Sequence, residues 1–199
     1  CPWCYIGFNQ LNQALENFNN YNFDIVWRPF QLNPDMPLAG MDRQQYLSNK
    51  FGSEDNANSV YQRIADEGEK NKIFFQFNKI AKTPNSFLSH KLLAYAHNKN
   101  KQTKVLELLF YKYFIEGEDI GSVNVLINAA KDADIYDENI EKYIISEKDN
   151  DSLLNEEKQA KNIGINSIPC FIFNKELVVI GAQPTKNLIQ IINSLHNNV

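Results

Sequence analysis

The 199-residue chain is short of several things, and each shortage excludes a class of protein. Cysteine is scarce: three residues, an odd number, cannot staple a disulfide-rich secreted scaffold. Long apolar runs are missing, and stretches such as Leu177 to Ile180 fall far below the roughly 18 residues that span a bilayer, so no membrane partner is expected. Basic clusters are missing too. With 20 Lys and Arg against 24 Asp and Glu the net charge is -4, which lacks the electrostatic footprint of a nucleic-acid binder. No internal repeat is visible. What is present is core material: 43% hydrophobic and 12% aromatic residues, with 22% charged, exclude disorder as the main state. The sequence starts at Cys1 without an initiator Met, so a signal peptide, a tag or a leading strand upstream stays open. A cytoplasmic setting is expected, with a periplasmic or exported one as the alternative.

From Cys4, the apolar residues Phe8, Leu11, Leu15 and Phe18 recur at helical spacing. Pro2 suits a first helical turn, and Asn19-Asn20 offers an end. The run from Phe23 to Phe30 is rich in β-branched and aromatic residues at period two and predicts a strand. Between Asn33 and Ile163 nothing alternates, and helical patterns recur between Pro34, Pro37, Gly52, Pro84 and Gly121. That predicts an all-helical block, with two packed helices around Phe87–Tyr95 and Val105–Phe114 and a polar surface helix from Asp149 to Asn162. Cys170–Phe173 and Leu177–Ile180, separated by Asn174-Lys175-Glu176, predict a buried antiparallel hairpin. Pro184 then opens a last helix bearing Leu188, Ile191, Ile192 and Leu195. The order is that of an α/β chain in which residues 1–32 and 164–199 form one unit, interrupted by a helical insertion over 33–163. A strand ahead of Cys1 would complete a βαβ and ββα sheet, and the insertion would cap one face of it.

The sharpest chemical feature is Cys1-Pro2-Trp3-Cys4. Two thiols three apart on a helix share a face at about 5 to 6 Å, a separation that suits a disulfide. Cys1 would sit at the helix N-terminus, where free N–H groups and the dipole favour a thiolate, and is the expected nucleophile. Cys4, one turn in and on the apolar stripe, suits a resolving thiol. A structural zinc site would need two further ligands at matching spacing, and Cys170, His90, His97 and His196 are scattered singly. Neither a metal nor a cofactor is called for. Two unrelated buried cysteines are the blander alternative.

The runs Cys1-Pro2-Trp3-Cys4-Tyr5-Ile6-Gly7, Ser167-Ile168-Pro169-Cys170-Phe171-Ile172-Phe173-Asn174 and Gly181-Ala182-Gln183-Pro184 resemble the thioredoxin-fold DsbA family, in its FrnE-like branch of dithiol-disulfide oxidoreductases and isomerases. The middle agrees, through Phe30–Pro37, Thr83-Pro84-Asn85-Ser86, His90, and Tyr113–Gly117 with Asp119-Ile120. The resemblance covers nearly the whole chain except a leading strand. It implies a thioredoxin-like fold with a helical insertion, a redox pair at Cys1 and Cys4, and a cis peptide at Ile168-Pro169 facing it. Pro2, Trp3, Ile168 and Pro169 would then bind an extended protein or peptide thiol substrate, with glutathione or a redox partner protein as further partners.

Other readings of these residues remain. Pro169 can be a strand-leading proline, and Trp3 either substrate surface or plain packing. Cys170 stands where the family usually has a large apolar residue; it is an inert small hydrophobe or a source of mixed disulfides. The motif lacks the His that strongly oxidising members of the wider family carry, so nothing positive lies between the cysteines. His90 and His97, seven apart, share a helix face and read as structural histidines before proton shuttles, while Asn85 belongs to a helix cap and Glu116, Glu118 and Asp119 to a solvated turn. Two rival functions stand beside the dithiol one. A glutathione-dependent isomerase or transferase of the kappa-class and 2-hydroxychromene-2-carboxylate isomerase branch would carry Ser at the first motif position. A non-catalytic binding module would use the cleft under the insertion.

Overall fold

A computed structural model describes residues 1–196. Helix α1 (Pro2–Leu15) opens the chain, with Cys1 as its N-cap and Pro2 in its first turn. It stops short of Asn19-Asn20. Glu16 caps it, Asn17 turns its side-chain amide back onto the Ala14 carbonyl at 3.2 Å, and Phe18 is still buried beyond the end. Asn at such a position offers the last carbonyls a partner the helix itself no longer supplies.

The helical block follows. It contains α2 (Arg43–Phe51), α3 (Glu54–Lys70), α4 (Phe87–His97), α5 (Gln102–Tyr111), α6 (Val123–Asp132), α7 (Ile140–Ile145) and α8 (Asn150–Asn162). Helix α5 runs into a π-helical turn, Lys112–Glu116, which ends at Gly117 with φ of 79°. The block is not all-helical: β1 (Met41–Asp42) pairs antiparallel with β2 (Lys82–Thr83), a bridge too short to leave an alternating pattern in the sequence. Its main core joins α4 through α7 around Leu92, Val105, Leu126, Ile140 and Ile144, each buried completely. Ser53 and Asp42 cap α3 and α2 through their side chains, as their types favour.

The chain ends in β3 (Cys170–Phe173), β4 (Leu177–Ile180) and α9 (Thr185–His196). The hairpin pairs Cys170 with Ile180 and Phe173 with Leu177. It is half-covered rather than buried. Phe171 and Phe173 turn inward onto α1 and α9 around Leu11, Ala14 and Leu188, while Ile172, Leu177, Val178 and Ile180 stay exposed. Both ends of the described chain therefore build one layer, α1 against α9 with the hairpin packed on them.

Residues 23–30 correct the strand expectation. They form no ladder among the described residues, and no backbone-to-backbone hydrogen bond involves residues 22–32. A β-rich stretch becomes a strand only where a neighbour takes its N–H and C=O groups. Here one side chain does that work at one residue: Gln102 accepts from the Trp27 N–H at 2.9 Å and donates to its carbonyl at 3.0 Å. No helix of the described residues is long and apolar enough to cross a membrane.

Candidate functional site

The start of α1 organises the site. As N-cap, Cys1 places its Sγ where the Cys4 N–H donates to it at 3.2 Å, so the sulfur occupies the position of a capping oxygen. Negative charge on that sulfur is favoured by this donor and by the helix dipole together. On its other side Cys1 Sγ donates to the Ile168 carbonyl at 3.8 Å, which brings together two segments 167 residues apart. The Ile168-Pro169 peptide is cis. Gly7 makes this approach possible: a Cβ there would stand 3.1 Å from Pro169 Cγ and 3.2 Å from Phe171 Cζ. Gly181 closes the loop from behind, its N–H donating to the Pro169 carbonyl at 2.7 Å.

Cys4 lies one turn deeper. Burial pushes its thiol up to about 11, so it is protonated at neutral pH. All three cysteines are free thiols in this structure. Trp3, between the pair, projects its ring with 39% exposure. Thus the structure gathers Cys1, Cys4, Ile168 and Pro169 at the head of α1, with Pro2 in its first turn and Trp3 at the surface. Cys170 takes no part in the hydrogen bonds at Cys1, and burial pushes its thiol up as well.

Around this centre stand groups that sequence reasoning passed over. The charges of Arg43 and Lys50, both on α2, reach the Cys1 backbone nitrogen. Arg43 is buried; its guanidinium donates to Thr83 Oγ1 at 3.1 Å and lies 4.9 Å from the Tyr61 ring centre. A signal was available: a cation directly after the Asp42 cap has the wrong sign for the positive end of a helix dipole. On α4, burial depresses the His90 imidazole to about 4, against the opposing pull of the Glu157 carboxylate. Glu157 is itself buried, and its two oxygens accept from Gln31 at 3.0 Å and Lys161 at 2.6 Å. His97 stands apart from that arrangement, exposed at the far end of a cleft of about 250 Å³ that both histidines line. Asp119 forms an ion pair with Lys82 at 2.9 Å and accepts from the Gly121 N–H, while Glu116 and Glu118 face Lys112. Asn85 acts at the head of α4, its side-chain oxygen accepting from the Phe87 N–H at 3.0 Å.

A family model described as the DSBA-like thioredoxin domain matches residues 1–193. The crystal structure of a probable DsbA oxidoreductase from Streptomyces coelicolor superposes with a TM-score of 0.90 at 20% identity, covering 100% of this chain and 87% of that one. A candidate protein disulfide isomerase from Nitrosomonas europaea gives 0.75 at 12% identity, covering 100% and 93%. At these identities the two structures establish the fold, thioredoxin-like with a helical insertion. Among curated sequences, the uncharacterized protein YwbO of Bacillus subtilis is 23% identical over 133 residues, 66% of this chain. The match spans 60% of the length of that relative.

Proposed function

We propose that this chain, which belongs to the DSBA-like thioredoxin domain family, is a thiol-disulfide oxidoreductase or disulfide isomerase acting on protein or peptide thiols through Cys1 and Cys4. The observation that carries the reading is the position of Cys1 Sγ, cap of α1 and neighbour of the Ile168 carbonyl. One face of the sulfur is held by a donor that favours thiolate; the other looks onto backbone that an extended substrate can pair with.

In the oxidising direction the enzyme starts with a Cys1–Cys4 disulfide. A substrate thiolate attacks Cys1 Sγ, the enzyme disulfide breaks, and Cys4 leaves as thiolate and takes a proton, as its raised pKa demands. A second substrate thiolate then attacks the substrate sulfur of the mixed disulfide. The substrate disulfide forms, Cys1 leaves as a thiolate stabilised by the Cys4 N–H, and two electrons have passed to the enzyme. A low-molecular-weight disulfide such as oxidised glutathione takes those electrons on. In isomerisation, reduced Cys1 attacks a substrate disulfide, and Cys4 releases any mixed disulfide that stalls.

The test is equilibration against a series of glutathione redox ratios, alkylation of free thiols, and mass analysis. A reversible two-electron transition of Cys1 and Cys4, with Cys170 alkylated throughout, is the expected outcome. Cysteines that never pair, or that titrate as three independent thiols, would sink the proposal.

A further inference from the structure

A buried guanidinium normally stands opposite a carboxylate, because burying an unpaired charge is expensive. Arg43 does not: its residue is 8% exposed, yet none of the ion pairs among the described residues includes it. Of the five N–H donors such a group carries, one reaches a protein acceptor, Thr83 Oγ1. Two aromatic faces stand beside it, Tyr61 at 4.9 Å and Tyr46 at 5.7 Å. Lys50, exposed on the same helix, adds a second cation. Its ammonium donates to the Tyr46 hydroxyl at 2.9 Å and it, too, belongs to none of those ion pairs.

Arg43, Tyr46 and Lys50 follow at i, i+3 and i+7, so one face of α2 carries two cations without a counter-charge. Helix α3 connects that face to α1. Tyr61, which covers the guanidinium, packs in the cluster of Ile6 and Tyr5, directly after Cys4. Tyr113, beside the same arginine, is in edge contact with Phe114, which stacks with Tyr5.

We infer that Arg43 and Lys50, framed by Tyr46 and Tyr61 beside Cys1, form an anion subsite that takes a carboxylate carried by the thiol or disulfide substrate. The inference rests on the proposed function and adds the substrate class to it. A planar fork with free donors suits a carboxylate, which it can hold through two parallel hydrogen bonds, and a neighbouring ammonium adds a point charge. The carboxylate has two sources of equal chemistry: an acidic side chain beside the substrate cysteine, or a small peptide thiol of the glutathione kind.

The test separates recognition from redox chemistry by using ligands without a reactive sulfur. Dissociation constants are measured by calorimetry for S-methylglutathione and for blocked peptides Ala-Ser-Glu and Ala-Ser-Gln, with the wild type, Lys50→Gln and Arg43→Gln. The Glu peptide or S-methylglutathione, or both, should bind at least tenfold more tightly than the Gln peptide, and Lys50→Gln should shrink that gap at least threefold. Which of the two acidic ligands prevails identifies the source. Lys50 is exposed, so its variant keeps the test decisive if Arg43→Gln melts early. Equal affinities for the Glu and Gln peptides, with S-methylglutathione binding no better or indifferent to Lys50→Gln, would overturn the subsite. Failure of the oxidoreductase reading shows separately, in the glutathione equilibration, as cysteines that never pair.

Discussion

At the scale of residues, the site depends on where charge is permitted. Cys4 and His90 are both held neutral by burial, one by a raised and one by a lowered pKa. His90 makes this measurable. Its folded value of about 4 lies below the ordinary 6.5, so the folded state binds fewer protons than the unfolded state between those limits. Stability from this group is complete above pH 6.5 and is lost as pH falls through 4, at roughly 1.4 kcal/mol per pH unit at most. We predict that urea unfolding of His90→Gln shows a shallower loss of stability than the wild type between pH 6.5 and 4. Parallel curves would mean that His90 is solvated in the folded state. The sequence displayed the thiol pair and its helix start, because both lie within four consecutive residues. It could not display that Arg43 is buried against Tyr61, since the two come from different helices whose packing no local pattern records.

Among elements, the lesson is in residues 23–30. Their composition is that of a strand, and period-two alternation is real, but a strand is a relation between two backbones rather than a property of one. The helices were legible because each satisfies its own hydrogen bonds and shows its buried stripe in the order of residues; α4, α5, α8 and α9 stand where the pattern puts them. The hairpin was legible in pairing but not in burial, because an apolar run reads alike whether one face is covered or two. Gln102 is the consequence of the missing ladder, substituting one amide for a neighbouring strand at Trp27. Its removal leaves a donor and an acceptor without partners in a half-buried segment. Gln102→Ala should therefore cost about 1–3 kcal/mol and lower the melting temperature by roughly 2–4 °C for each kcal/mol. An unchanged melt would show that water satisfies Trp27 equally well.

For the whole molecule, the question is whether the helical block moves as a separate body or is welded to the layer that carries the thiols. The packing argues for a weld. Tyr5 of α1 stacks on Phe110 of α5 with ring centres 5.0 Å apart, and it also meets Phe75 and Phe114. Phe8 touches both Phe110 and Trp27, and the Trp27 indole N–H donates to Thr103 Oγ1 at 2.9 Å. Tyr5, Phe75 and Phe77 belong to two apolar clusters at once, one centred on Ile6, Ile64 and Ile73, the other on Ile80, Tyr113 and Phe114. Aromatic pairs contribute about 0.5–1.5 kcal/mol each beyond their buried area, so separating the bodies would forfeit several such terms together. We predict one cooperative unfolding transition. Far-ultraviolet circular dichroism, dominated by the helical block, and fluorescence of the two tryptophans, both in the thiol-bearing part, should fall on one curve, with calorimetric and van't Hoff enthalpies equal. A fluorescence change that precedes the loss of helix would mean that the Tyr5 stack is too weak to couple the parts, and that the thiol site can open while the insertion stays folded.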